Sequence, residues 1–133
     1  MECFAFKAAD NYLGVEARYV YRVVDVVEVT PVPLVPPCYM GLIYYRGELF
    51  DVVHMGRLMG QGPTLQESPR IILLRWSHKK LGLIPDRILG LLWIEDGEQR
   101  EEAFSESGYA VKLISPDEIL NTLSGLSYGP HQV

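Results

Sequence analysis

Apolar residues in this chain recur at every second position in short runs broken by glycine, proline and Asp-Asn punctuation, the period of strands rather than helices. Phe4 and Phe6 fall on one face of a first strand, Asp10-Asn11 supplies a turn, and Leu13 and Val15 share a face of the next, which predicts an N-terminal hairpin. The segment 29–53 contains Pro31, Pro33, Pro36 and Pro37, each lacking a backbone donor, so it starts as a stiff connection or sheet edge. Gly41 and Gly47 then bracket Leu42, Ile43, Tyr44, Tyr45 and Arg46, a short strand entering a tight turn before a strand over 49–53. Arg46 therefore sits where a hairpin bends. Strands are also predicted over 71–76 and 81–84, joined by a cationic tip at Ser77-His78-Lys79-Lys80, and over 88–94, interrupted by Gly90. A last hairpin, 100–104 with 109–114, turns through 105–108.

Helical signals are few. Val20, Val23, Val24 and Val27 fit the i, i+3, i+4, i+7 template, which predicts a short helix over 17–23 followed by a strand over 26–30. Residues 55–59 read as one helical turn, followed by a polar loop over 60–69. Near the C-terminus Ser115 caps a helix, Pro116 suits its first position and Glu118 completes a capping box. Ile119, Leu120 and Leu123 form its buried stripe, placing it over the open end of a barrel, and Gly125 marks its stop. The expected organisation is one domain over 1–126, two subdomains sharing a core, with a frayed tail over 127–133. Nine or ten short strands favour barrels or a sandwich over an α/β plan.

Composition narrows the setting. The 133 residues are 48% apolar, enough for a continuous interior. The longest apolar runs, 71–74 and 91–94, fall well below the roughly 18 residues of a membrane span. The opening MECFAFKAADNY begins with an acid and lacks a basic region before an apolar core, so it makes a poor signal peptide and the chain reads as cytoplasmic. Cys3 and Cys38 have neither metal-type spacing nor the number for a disulfide framework. The net charge of −5 is carried entirely by residues 95–106, where six acids face Arg100. That distribution argues against nucleic acid. It fits either a solvated acidic loop or a docking surface for a basic partner.

No catalytic constellation emerges. His54 lies near Glu48 and Asp51 in sequence, but strand alternation puts Glu48, Phe50, Val52 and His54 on one face and Asp51 and Val53 on the other. With only His78 and His131 besides, no metal-ligand cluster forms. Ser115 suits a helix cap rather than a nucleophile elbow. The stretch Gly56-Arg57-Leu58-Met59-Gly60-Gln61-Gly62 lacks the lysine and hydroxyl of a phosphate loop, so no cofactor is called for. Trp76 and Trp93 are expected as core or rim aromatics. Arg46 is either an interface anchor or a fork onto loop carbonyls at a barrel corner. Tyr44 and Tyr45 point to opposite faces of their strand.

The order of these features resembles the CheW-like family, the coupling proteins of bacterial chemosensory arrays. The resemblance runs from Phe4 to Leu123 and is carried by VTPVPLVPPCYMGLIYYRGELFDVV, RIILLRWSHKKLGLIPDRILGL and YAVKLISPDEIL. It implies a mainly β fold of two intertwined five-stranded Src-homology-3-like barrels, with a short first helix and a C-terminal helix. It further implies a non-enzymatic adaptor joining the regulatory domain of a CheA-type histidine kinase to the hairpin tip of a chemoreceptor, with other CheW-like domains as further partners and no membrane insertion. Arg46 and Gly47 match the family's Arg-Gly turn. Val20, Val23, Gly41, Leu42 and Ile43 fall at its groove positions, beside Arg22 and Tyr44, while Gly82, Asp86 and Gly90 match turns and ends of the second barrel. The chain departs from the family pattern in having Tyr44 for an asparagine, Arg22 for an acid and His54 for an aspartate, and in a shorter segment between Ile94 and Tyr109. A charge inverted at Arg22 would suit a specialised partner. The departures also admit a second reading, a self-associating or ligand-sensing module acting outside receptor arrays.

Overall fold

The computed structural model describes residues 1–25, 29–60, 70–93, 102–104 (backbone only) and 110–126. Among the described residues ten strands make two five-stranded sheets. The outer sheet holds β1 (Glu2–Ala8), β2 (Asn11–Glu16), β8 (Arg87–Trp93), β9 (Glu102–Phe104) and β10 (Ala110–Leu113), in the order β8-β1-β2-β10-β9. The inner sheet holds β3 (Val20–Asp25), β4 (Tyr39–Tyr45), β5 (Glu48–His54), β6 (Arg70–Trp76) and β7 (Lys79–Ile84), in the order β3-β6-β7-β5-β4. All inner strands lie between β2 and β8 in the chain, so one sheet is inserted within the other. Helices are short: α1 (Met55–Leu58) and α2 (Pro116–Ser124).

Two apolar clusters explain why β6 reads as an unbroken apolar run. Ile71 and Leu73 pack inside the inner sheet with Ile43, Phe50, Val52 and Ile84. Ile72, Leu74 and Trp76 face the other way into a larger core shared with Phe6, Leu13 and Val15 of the outer sheet and with Ile119 and Leu123 of α2. A strand buried on both faces loses its polar positions. Gly82 lies within β7 rather than at a turn, because a Cβ there would meet Ile71 Cγ2 at 3.0 Å, so glycine keeps β7 close to its neighbours.

The two ends of the inner order, β3 and β4, are linked through the chain that follows β3. Thr30 and Leu42 exchange both backbone bonds, each 2.8 Å long. This rung curls the sheet towards a barrel. Gly41 is what permits it, since at φ +132° a Cβ would fall 2.0 Å from the Thr30 carbonyl oxygen.

The helix expected over 17–23 is not formed. A single 3₁₀ turn covers Ala17–Tyr19, and Val20, Val23 and Val24 continue as β3, antiparallel to β6 with a register shift between Val20 and Arg22. Branched side chains that satisfy a helical spacing also suit a strand, and pairing with β6 decides the outcome. Of the strand expected over 26–30, Thr30 makes only the isolated bridge and 26–28 lie outside the described residues. The C-terminal helix forms as expected, with Ser115 Oγ accepting from the Glu118 N–H at 3.1 Å. Trp76 Nε1 donates to Asp117 Oδ1 at 2.9 Å, tying β6 to its first turn. The tail 127–133 and nearly all of the acidic segment lie outside the described residues.

Candidate functional site: two exposed sheet edges

Arg46 and Gly47 form a two-residue hairpin between paired Tyr45 and Glu48, with φ of +49° and +84°. Positive φ at both positions matches the right-handed twist of the flanking strands. The turn projects Arg46 into solvent, its guanidinium carbon 5.4 Å from the Tyr45 ring centroid. Among the described residues Arg46 makes no ion pair.

Alternation splits the two tyrosines as expected. Tyr45 turns inward, edge-on to Tyr21 at 6.1 Å, and Tyr21 stacks on Phe50 at 6.2 Å. Arg75 covers the Tyr21 ring at 3.6 Å while its Nη1 reaches Glu48 Oε2 at 3.0 Å. Tyr44 turns outward, 69% exposed, opposite Leu49, which is 55% exposed. Tyr44, Leu49 and Arg46 thus form an exposed apolar surface with a cation that has no ion pair among the described residues, beside the half-buried Tyr45 and Tyr21 and the buried Phe50.

The remaining predicted contact residues divide by burial. Ile43 is buried inside the inner sheet and Gly41 is enclosed beneath the Thr30 bridge, so neither offers surface. Val20 and Val23 are half-buried against the shared core, Leu42 is half-buried in the bridge, and Arg22 is exposed on β3. Alternation along a strand decides this: of 42–45, the inward members serve the core.

A second apolar edge escaped the sequence reading. β8 ends the outer sheet, and Leu91 and Trp93 on one of its faces are 64% and 61% exposed. Gly90, at φ +108°, sits where the register with β1 shifts between Ala5 and Phe6, so it bends the strand rather than ending it. Trp93 was expected at the core or rim. A continuous apolar run looks the same whether its strand is covered or terminal, so only topology reveals the exposure.

At the start of α1 His54 is buried and caps the helix: its Nδ1 accepts the Arg57 N–H at 3.2 Å. Burial and the nearby Arg57 guanidinium hold the ring below the usual histidine value, against the opposing Asp86 carboxylate. Asp86 lies between β7 and β8, its Oδ2 accepting the Ala9 N–H at 2.9 Å and its own N–H donating to the Lys7 carbonyl at 2.8 Å. Asp51 accepts from the Tyr39 hydroxyl instead, on the other face of β5. Among the described residues no three His, Cys, Asp or Glu side chains cluster as a metal site. Burial pushes the Cys3 thiol up to about 11 and raises Cys38 as well, so neither is an activated nucleophile. No helix of the described residues is long and apolar enough to cross a membrane.

Comparison with known proteins supplies relatives. The family described as the CheW-like domain matches residues 2–116. Chemotaxis protein CheW of Thermotoga maritima is 27% identical over 97 residues, covering 73% of this chain and 64% of that protein. Protein FrzA of Myxococcus xanthus is 30% identical over 91 residues, covering 68% of this chain and 57% of that one. The chain thus matches about six-tenths of the length of these relatives. The crystal structure of scaffolding protein TtCheW from Thermoanaerobacter tengcongensis superposes with a TM-score of 0.75 at 22% identity, covering 85% of this chain and 82% of that one, which shows the same fold.

Proposed function

The chain belongs to the CheW-like domain family, and from that membership we propose that it is a non-enzymatic cytoplasmic adaptor of a bacterial chemosensory pathway, coupling a CheA-type kinase to chemoreceptor tips. One observation carries the reading beyond the family: each of the two sheets exposes large apolar side chains at one end of its strand order, Tyr44 of β4 with its cross-strand neighbour Leu49 of β5 on the inner sheet and Leu91 with Trp93 of β8 on the outer. An adaptor needs two such surfaces on one rigid body. Exposed apolar patches of this kind mark interaction sites, and aromatic and arginine side chains anchor them. The domain that does this work spans 1–126 in this reading. Arg46 fixes register on the inner edge, because a displayed guanidinium gains most from a partner carboxylate or carbonyl that it does not already hold. Tyr44 supplies an aromatic anchor there.

The test is a binding assay with the cognate kinase's regulatory domain and a receptor hairpin fragment, using wild type, Arg46→Glu and Trp93→Ser. Each substitution should weaken one partner by at least roughly 2 kcal/mol, about thirtyfold, and leave the other in place. Binding of neither partner by the wild-type chain would sink the proposal.

A further inference from the structure

His54 sits where both sheets meet the α1 turn. Its backbone N–H donates to the Cys38 carbonyl at 2.7 Å, and it runs parallel to Ile84 of β7 in register. Its ring caps α1 through Nδ1. Arg57, whose N–H is capped, also reaches the Pro37 carbonyl with Nη1 at 3.3 Å, so α1 and the segment entering β4 are held by one residue. On the other side stands Asp86, which clasps the β1–β2 turn of the outer sheet through Ala9. Gly56 keeps these groups together: a Cβ there would meet His54 Cε1 at 3.3 Å and Asp86 Oδ1 at 3.5 Å.

We propose that this corner is an acid-sensitive latch, in which protonation of His54 Nδ1 releases the α1 cap and loosens the hold on the segment that leads into β4. Capping through Nδ1 requires the neutral ring with its proton on Nε2. A proton taken from water at Nδ1 turns the acceptor into a donor facing the Arg57 N–H, so the bond is lost. The new cation would be buried, with the Arg57 guanidinium on α1 repelling it and the Asp86 carboxylate from the β7–β8 connection attracting it. The Cys38 thiol, on the segment before β4, stays neutral and contributes no charge. Burial and Arg57 outweigh Asp86, so the folded chain binds this proton less readily than the unfolded chain. The linkage then has a definite sign: stability from this corner is complete above about pH 6.5, the unfolded histidine value, and falls as pH drops below it through the lower folded value.

Unfolding by denaturant and amide exchange, followed from pH 7.5 to pH 5, test the latch in wild type and in His54→Asn, which keeps a capping acceptor without titrating. The wild-type Arg57 amide, corrected for intrinsic exchange, should lose roughly tenfold protection across this range, while the variant changes little. The wild-type unfolding midpoint should begin to fall below about pH 6.5, the unfolded histidine value, and that of His54→Asn should not. Parallel loss in both proteins, or Arg57 protection that is flat in wild type, would overturn the proposal. If the variant does not fold, titration of the His54 ring by NMR alongside Arg57 exchange in wild type decides: the two curves must share a midpoint below 6.5, and separate midpoints reject the latch.

Discussion

Two hairpin turns in the inner sheet have the same length and the same sign of φ but opposite equipment. Arg46-Gly47 joins β4 to β5 and Ser77-His78 joins β6 to β7, with φ of +44° and +65° at the second pair. Around Ser77-His78 the cations are engaged: Lys79 Nζ lies 3.1 Å from Asp117, Lys80 Nζ lies 3.8 Å from Glu48, and Asp117 also takes the Trp76 N–H. At Arg46-Gly47 glycine relieves half the backbone cost and the cation is left without an ion pair among the described residues. The first arrangement holds α2 against the sheet; the second displays a charge. Turn geometry alone therefore does not separate a structural turn from an interactive one, whereas the state of its charges does.

The most damaging way to break this comparison is to remove the platform beneath the displaying turn. Gly41→Val puts a Cβ into the Thr30 carbonyl at a φ closed to branched residues, and should cost about 3 kcal/mol or more, read as a collapse of the unfolding midpoint. Replacing Ser77-His78 by Asn-Gly sharpens the contrast: relief of two non-glycine residues from positive φ should stabilise the fold by roughly 1 kcal/mol without altering partner binding. The smallest effect is expected from Asp117→Asn. Trp76 first and Lys79 second hold this carboxyl below its usual value, so its modest contribution is present above the ordinary carboxylate range and fades as pH falls through the lowered value. Thermal melts from pH 6 to pH 3 should show that acid-dependent part missing in the variant.

Much of this was legible before any coordinates. Period-two alternation and glycine punctuation located the hairpins, and the Ser115-Glu118 box located α2, because those signals act over a few residues. The Arg46-Gly47 turn was legible for the same reason. Val20, Val23 and Val24 misled, since their spacing satisfies both periods and only the β6 partner, some fifty residues away, selects the strand. Ser77-His78 carries no glycine to announce positive φ. Ile43 was taken for groove, and the exposure of Leu91 and Trp93 in a strand read only as apolar went unseen, because burial of an apolar residue depends on what lies across the sheet. His54 as a cap was invisible for a related reason, histidine being an unusual residue in that role.

The insertion of one sheet inside the other sets an order of assembly. The inner sheet draws on a contiguous stretch of chain and can close on itself once β7 is available. The β1–β2 hairpin, by contrast, must wait with both flanks unpaired until β8 joins β1 and β10 lies parallel to β2 through Leu13 and Lys112. These long-range pairings have a high entropic cost of closure, which predicts that they form after the inner sheet. Until they form, the hairpin leaves two unpaired flanks and the apolar Phe6, Leu13 and Val15, destined for the shared core, open to mispairing.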